Sequence, residues 1–207
     1  MVSNIEIKKE NVLAAYNGAS AEQKQLLETL FGKDTFKPQD ITERVRTFED
    51  ACNVLGSDHP LVDKYYQWAD NVEDNDPFIR AVLKLEIITA ALNEGWEPHF
   101  TAGEWSEWRW IPWFWFYKSR EDWENDEDED WRNEHPYREL GGDWKTEYAG
   151  FASACSIYAP SGSYAYIGSR LCFKNSDLAA YSGTQFADLW MDFCLVRKSD
   201  NLINGEE

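Results

Sequence analysis

Apolar residues recur through the first half of the chain at spacings of three and four, the period of a helix buried on one face. Leu26, Leu27, Leu30 and Phe31 form one such stripe. Before it, Ser20 and Gln23 have the spacing of a capping box, in which the serine oxygen accepts from the Gln23 amide and the glutamine reaches back. Gly32 supplies the stop. Upstream, Glu10 to Asn17 reads as a short helix ending near Gly18. Asp40-Ile-Thr-Glu43 repeats the cap pattern. Ile41, Val45, Phe48, Cys52 and Leu55 then continue at helical spacing to Gly56, which predicts one unbroken helical segment. A further helix is expected over Pro60 to Asn71, with Leu61, Tyr65 and Trp68 on one face. The clearest helix is Asp76 to Glu94, with Asp76 as N-cap and Pro77 in the first position. Its stripe of Phe78, Val82, Leu85, Ile88 and Leu92 is widened by Ala81, Ile87 and Ala91, so burial on more than one side is expected. The acidic stretch at 72–76 before it reads as a solvated loop.

The second half changes period. Trp110 to Tyr117 (WIPWFWFY) reads as a strand that begins after Pro112. Alternation puts Trp113, Trp115 and Tyr117 on one face and Phe114 and Phe116 on the other. Both faces are aromatic and need cover. One can pack on helices; the other needs the Trp105/Trp108 segment, a partner chain or a ligand. Phe151 to Ala159 and Tyr164 to Lys174 flank a turn cluster at 160–163 and predict a hairpin. Asn175 or Ser176 then caps a C-terminal helix in which Leu178, Phe186, Leu189, Trp190, Phe193 and Val196 lie near one face. Gly183 inside that helix allows close approach to a sheet.

This order predicts an α+β fold. A helical region over 1–98, of about four to five helices, precedes a small antiparallel sheet of about three strands, with a C-terminal helix packed on it. The sheet region spans 99–198 and carries an acidic loop at 119–148. Residues 199–207 read as a flexible tail.

Composition changes this picture in two ways. Apolar residues are 43% of the chain and aromatics 15%, with 11 tryptophans, so a core can form. The net charge is −18. Such a surface repels nucleic-acid phosphates and anionic lipid, and the basic residues are scattered, so direct nucleic-acid binding and a membrane role are disfavoured. The first consequence of the charge is solubility. A second is that an acidic protein can occupy the basic, nucleic-acid-binding groove of another protein. No apolar run approaches the ~20 residues of a membrane helix, and the N-terminus lacks the apolar core of a signal peptide. Cys52, Cys155, Cys172 and Cys194 are far apart with no CxxC, which fits a reducing compartment. A Cys155–Cys172 disulfide is the one pairing left open.

Chemistry is sparse. Glu121 to Asp130 carries eight carboxylates. Asp126, Asp128 and Asp130 alternate as in a calcium loop, but Trp131 stands where the glycine should be and Tyr137 where the bidentate glutamate should be. The run therefore reads as a solvated, mutually repelling loop. Paired acids and aromatic platforms also serve sugar chemistry, and a carbohydrate-binding module is an alternative. With so many acids, no particular pair stands out. His59, His99 and His135 each neighbour a proline and form no metal or catalytic pattern. Arg170, beside Gly168, can pair with an acid or bind an anion. No catalytic residue, cofactor site or metal site is assigned. The candidate interaction surface is Trp105, Trp108, Trp113, Trp115, Trp123 and Trp131 with Asp126, Glu127, Asp128, Glu129 and Asp130. Its expected partner is a protein, a second copy of the chain included.

Three segments, DITERVRTFEDACNVLG (Asp40 to Gly56), LKLEIITAALNEGWEP (Leu83 to Pro98) and GSRLCFKNSDLAAYSGTQFADL (Gly168 to Leu189), resemble a group of uncharacterised proteins encoded by phages and prophages of gut Bacteroidales. The likeness spans most of the chain and carries no chemical signature, so no functional residue transfers. It implies a viral origin, a place in the bacterial host cytoplasm or the virion, and an accessory role. The stretch Glu121 to Glu139 reads as an elaboration of this member.

Overall fold

The computed structural model describes residues 7–36, 40–71, 76–98, 108–126, 128–152, 155–160 and 169–198. The loop at 72–75, Trp105, Glu127, the turn at 161–163 and the tail from 199 lie outside them. The chain divides into two compact units, Met1–Arg44 and Val45–Glu207. The helical region expected through residue 98 is cut by this boundary, and its later helices belong with the strands.

The smaller unit holds α1 (Lys9–Asn17), α2 (Ala21–Phe31), a 3-10 turn (Lys33–Phe36) and α3 (Ile41–Arg44). The capping box forms as read. Ser20 Oγ accepts from the Gln23 amide at 3.4 Å, and Gln23 Oε1 accepts from the Ser20 amide at 2.9 Å. Tyr16 stacks on Phe36, with centroids 4.0 Å apart, and donates to Glu28. Yet α2 buries none of its residues, and Leu26 and Leu30 are exposed. Periodicity marks an apolar face; it does not say what meets it.

The larger unit opens with α4 (Phe48–Leu55), α5 (Pro60–Asn71) and α6 (Pro77–Asn93). The single helix expected over 40–56 is instead broken at 45–47. Thr47 and Asp50 form a second capping box there. Thr47 Oγ1 accepts from the Asp50 amide at 3.1 Å, and Asp50 Oδ2 accepts from the amides of Thr47 and Arg46 at 2.9 and 3.1 Å. The apolar period runs straight through this point, but the local cap wins because it satisfies amides that a new helix start leaves open. α6 is the centre of the unit. Asp76 caps it through the amides of Phe78 and Ile79. Ala81, Leu85, Ile87, Ile88, Ala91 and Leu92 are fully buried, so the helix is covered on more than one side as expected.

There follow β1 (Trp108–Trp113), β2 (Phe116–Tyr117), α7 (Arg120–Asp126), α8 (Glu129–Glu134), β3 (Tyr137–Glu139), β4 (Gly150–Ala152), β5 (Cys155–Pro160), a 3-10 turn (Ser169–Leu171), α9 (Ser176–Gln185) and α10 (Ala187–Cys194). β1 pairs antiparallel with β5, and β2, β4 and β3 form a three-stranded antiparallel sheet in that order. The fold is α+β.

Three details differ from expectation. First, β1 does not wait for Pro112 but runs through it, with Pro112 opposite Ser156. Trp110 exchanges both backbone hydrogen bonds with Phe173, on the edge away from β5. Pro112 has the same parity as Trp110, so its missing N–H also faces away from β5 and the ladder loses nothing. Second, the expected hairpin does not extend over 169–174, because Ser169–Leu171 is a 3-10 turn and Phe173 bridges to Trp110. Third, the C-terminal helix is split at Phe186, whose backbone leaves helical geometry while its amide still bonds the Ser182 carbonyl. Asn175 is the cap, with its side chain accepting from Leu178.

The three-stranded sheet is covered on both faces. On one, Phe151 lies between Phe116 and Arg138, and Arg138 reaches the Thr184 carbonyl and Asp188 on the C-terminal helices. On the other, Tyr117 and Ala152 lie with Trp123, Trp131 and Tyr137. No helix among the described residues is long and apolar enough to cross a membrane.

Candidate functional site

The segment expected to be an acidic loop is folded into α7 and α8. Each helix starts on a cap that the acids and a serine supply. Ser119 Oγ accepts from the Asp122 amide at 3.0 Å, and Asp128 accepts from the Trp131 amide at 2.8 Å. Carboxylates in both first turns face the positive end of the helix dipole. What anchors the pair is Trp123, only 9% exposed and packed on Tyr117 and Ala152. Trp131 packs on the same cluster and stacks on His135 at 4.5 Å. Trp123 therefore belongs to the interior and Trp131 is half-buried against it. Trp123 is thereby taken out of the expected interaction surface, while Trp131 keeps part of its surface exposed. Asp126, Asp128, Glu129 and Asp130 are exposed, and Glu127 lies outside the described residues. Among the described residues no three His, Cys, Asp or Glu side chains gather as a metal site.

Of the remaining tryptophans of that surface, Trp108, Trp113 and Trp115 face out. Trp113 and Trp115 are 42% and 47% exposed. Their rings meet edge to face, with centroids 6.3 Å apart and planes at 74°. They sit at the junction of β1 and β2, where the Trp115 carbonyl accepts from Ala152 at 2.9 Å. Phe114 and Phe116 turn the opposite way, onto Phe151. The alternation read from the sequence thus holds for these four residues, while Tyr117 is buried under Trp123. Trp108 is also exposed, but it stands at the far end of β1 with parity opposite to Trp113. Trp113 and Trp115 are brought together; Trp108 stands apart from them. Two rings at 74° offer an edge and a face rather than one flat platform for a sugar ring.

A polar cleft went unread in the sequence. Within the apolar α6, Glu86, Thr89 and Asn93 lie on one side at helical spacing and are all buried. They line a cavity of about 450 Å³ with Lys64 of α5, Trp96 and Arg170. Glu86 accepts from Lys64 Nζ at 2.7 Å on one oxygen and from Arg170 Nη1 at 3.1 Å on the other. Burial pushes the Glu86 carboxyl up, but the bonds and charges of Lys64 and Arg170 outweigh it and hold the group below its ordinary value. Asn93 Nδ2 donates to the Cys172 carbonyl at 2.9 Å, and its Oδ1 accepts from the Lys174 amide at 3.1 Å. Of these residues only Arg170 was singled out from sequence, and it does pair with an acid. The available signal was the spacing of the polar residues in an otherwise apolar helix, where a buried charge calls for a partner. Compared with known protein families, characterised proteins and solved structures, the chain matches none.

Proposed function

We propose that this is a phage-encoded accessory protein, acting in the bacterial host or on the virion, that binds another protein and carries out no chemistry of its own. The observation behind this reading is the Trp113–Trp115 pair, two large aromatic side chains held together on a strand junction and exposed to solvent. Burying such rings is the largest single source of binding energy at protein interfaces. The acidic α7 and α8 follow directly in the chain, so the partner that fits best presents an apolar pocket within a basic surface. The test is capture from host lysate, with Trp113→Ser/Trp115→Ser as the comparison. A specific partner is expected with the natural chain and not with the double variant. Equal capture by both would reject the tryptophan contact, and mass photometry of the purified chain reads out self-association.

A second reading is an acidic inhibitor that imitates nucleic acid. It is favoured by the same carboxylates being carried on two capped helices, which fixes their spacing as a free loop would not. It predicts that converting Asp126, Asp128, Glu129 and Asp130 to amides abolishes capture, with a steep loss in salt. Capture that survives both changes would exclude it.

A further inference from the structure

The cleft beside α6 has features that a purely structural ion pair does not need. Lys64 and Arg170 each give Glu86 one hydrogen bond. An ammonium has three donors and a guanidinium five, so both cations keep donors to spare. Glu86 uses one oxygen for each cation, which fixes their heads on either side of it. One turn further along α6, Thr89 is 2% exposed and lines the same cavity, and its hydroxyl has no hydrogen-bond partner among the described residues. Buried hydroxyls are ordinarily hydrogen-bonded, so this one is short of a partner. Trp96, half-buried, supplies an aromatic wall. Glu97 on the rim is exposed and disfavours ligands of high negative charge. The cavity, about 450 Å³, lies within the range of small-molecule sites.

We propose that this cleft binds a small organic anion. Its single carboxylate or phosphate sits between Lys64 and Arg170, its apolar body lies against Trp96, and one polar atom meets the Thr89 hydroxyl. Glu86 is a positioning residue that presents the two cations. Phosphate and carboxylate share the recognition chemistry, so the probes separate them.

Phenyl phosphate, benzoate, inorganic phosphate and uncharged benzamide are titrated against the full chain by calorimetry and saturation-transfer NMR. Binding of phenyl phosphate or benzoate is expected with Kd of about 1 mM or tighter, and benzamide at least tenfold weaker. Arg170→Met should weaken the bound anion about tenfold or more. Thr89→Val removes the hydroxyl at nearly constant shape, so it should weaken binding several-fold while leaving the melting temperature equal or higher. That split separates a ligand contact from a structural role. Absence of binding by either organic anion, equal binding of benzamide, or unchanged affinity in both variants overturns the proposal. Inorganic phosphate binding as tightly as phenyl phosphate overturns the assignment of an apolar body.

Discussion

The ring of Tyr137 lies over Gly150 on the adjacent strand, in the space a β-carbon of residue 150 would fill. The register partner of Gly150 in that pair is Glu139, so the ring reaches across diagonally. The carbonyl of Arg138 closes the same space. Tyr137 also packs on Trp123, at 5.7 Å between centroids. The glycine thus seats the ring that seats the anchor of α7.

Gly150→Ala should destabilise the protein by about 1–3 kcal/mol through overpacking. Denaturant unfolding measures this. Combined with Tyr137→Ala, the effect should be less than additive, because the second change removes the ring and leaves only the Arg138 carbonyl in the way.

Trp123 and the Trp113–Trp115 pair should separate cleanly. Trp123→Ala empties a buried site and should cost about 3–5 kcal/mol, with early hydrogen exchange in α7 and α8. Trp113→Ser/Trp115→Ser should change stability far less, since both residues are already exposed. A large loss of stability in the double variant would mean that these rings are structural.

Glu86 gives a pH dependence whose sign follows from its lowered value. Its contribution is complete above the ordinary glutamate value of 4.5 and is lost as pH falls through the lower folded value. Glu86→Gln should cost about 1–2 kcal/mol at neutral pH, a modest figure because Lys64 and Arg170 are largely solvated. The gap between variant and natural protein should narrow below pH 4.5. Melting curves across that range would show it, and a gap that widens in acid would contradict the assignment.

Asn93→Leu should cost about 2–3 kcal/mol, because the Cys172 carbonyl and the Lys174 amide both lose their side-chain partner. The Lys174 amide should exchange faster than in the natural protein, and NMR reads that residue directly.

Elements defined by local chemistry were legible in the sequence. Ser20–Gln23, Asp76–Pro77 and Asn175 each announce a helix start through atoms a few residues apart, and each start is where it was expected. The break at 45–47 was announced in the same way by Thr47 and Asp50, but the apolar period across it is the louder signal. Strand partners were not legible. Nothing local to Phe173 says that it meets Trp110. The acidic run misled because composition predicts mutual repulsion and is silent on the single side chain, Trp123, that holds the segment down. The cleft is assembled from three separate stretches, so its residues are ordinary until α6 brings them together.

The grip on the backbone at 45–46 has a consequence for synthesis. Tyr181 donates to the Val45 carbonyl and Gln185 to that of Arg46, at sequence separations of 136 and 139. The bonds from α6 to Arg170 and Cys172 span 84 and 79 residues. At ordinary translation rates these late partners emerge on the order of ten seconds after α6. Until then α6 lacks the contacts that close its polar side. The larger unit should therefore close only once α9 and α10 have left the ribosome.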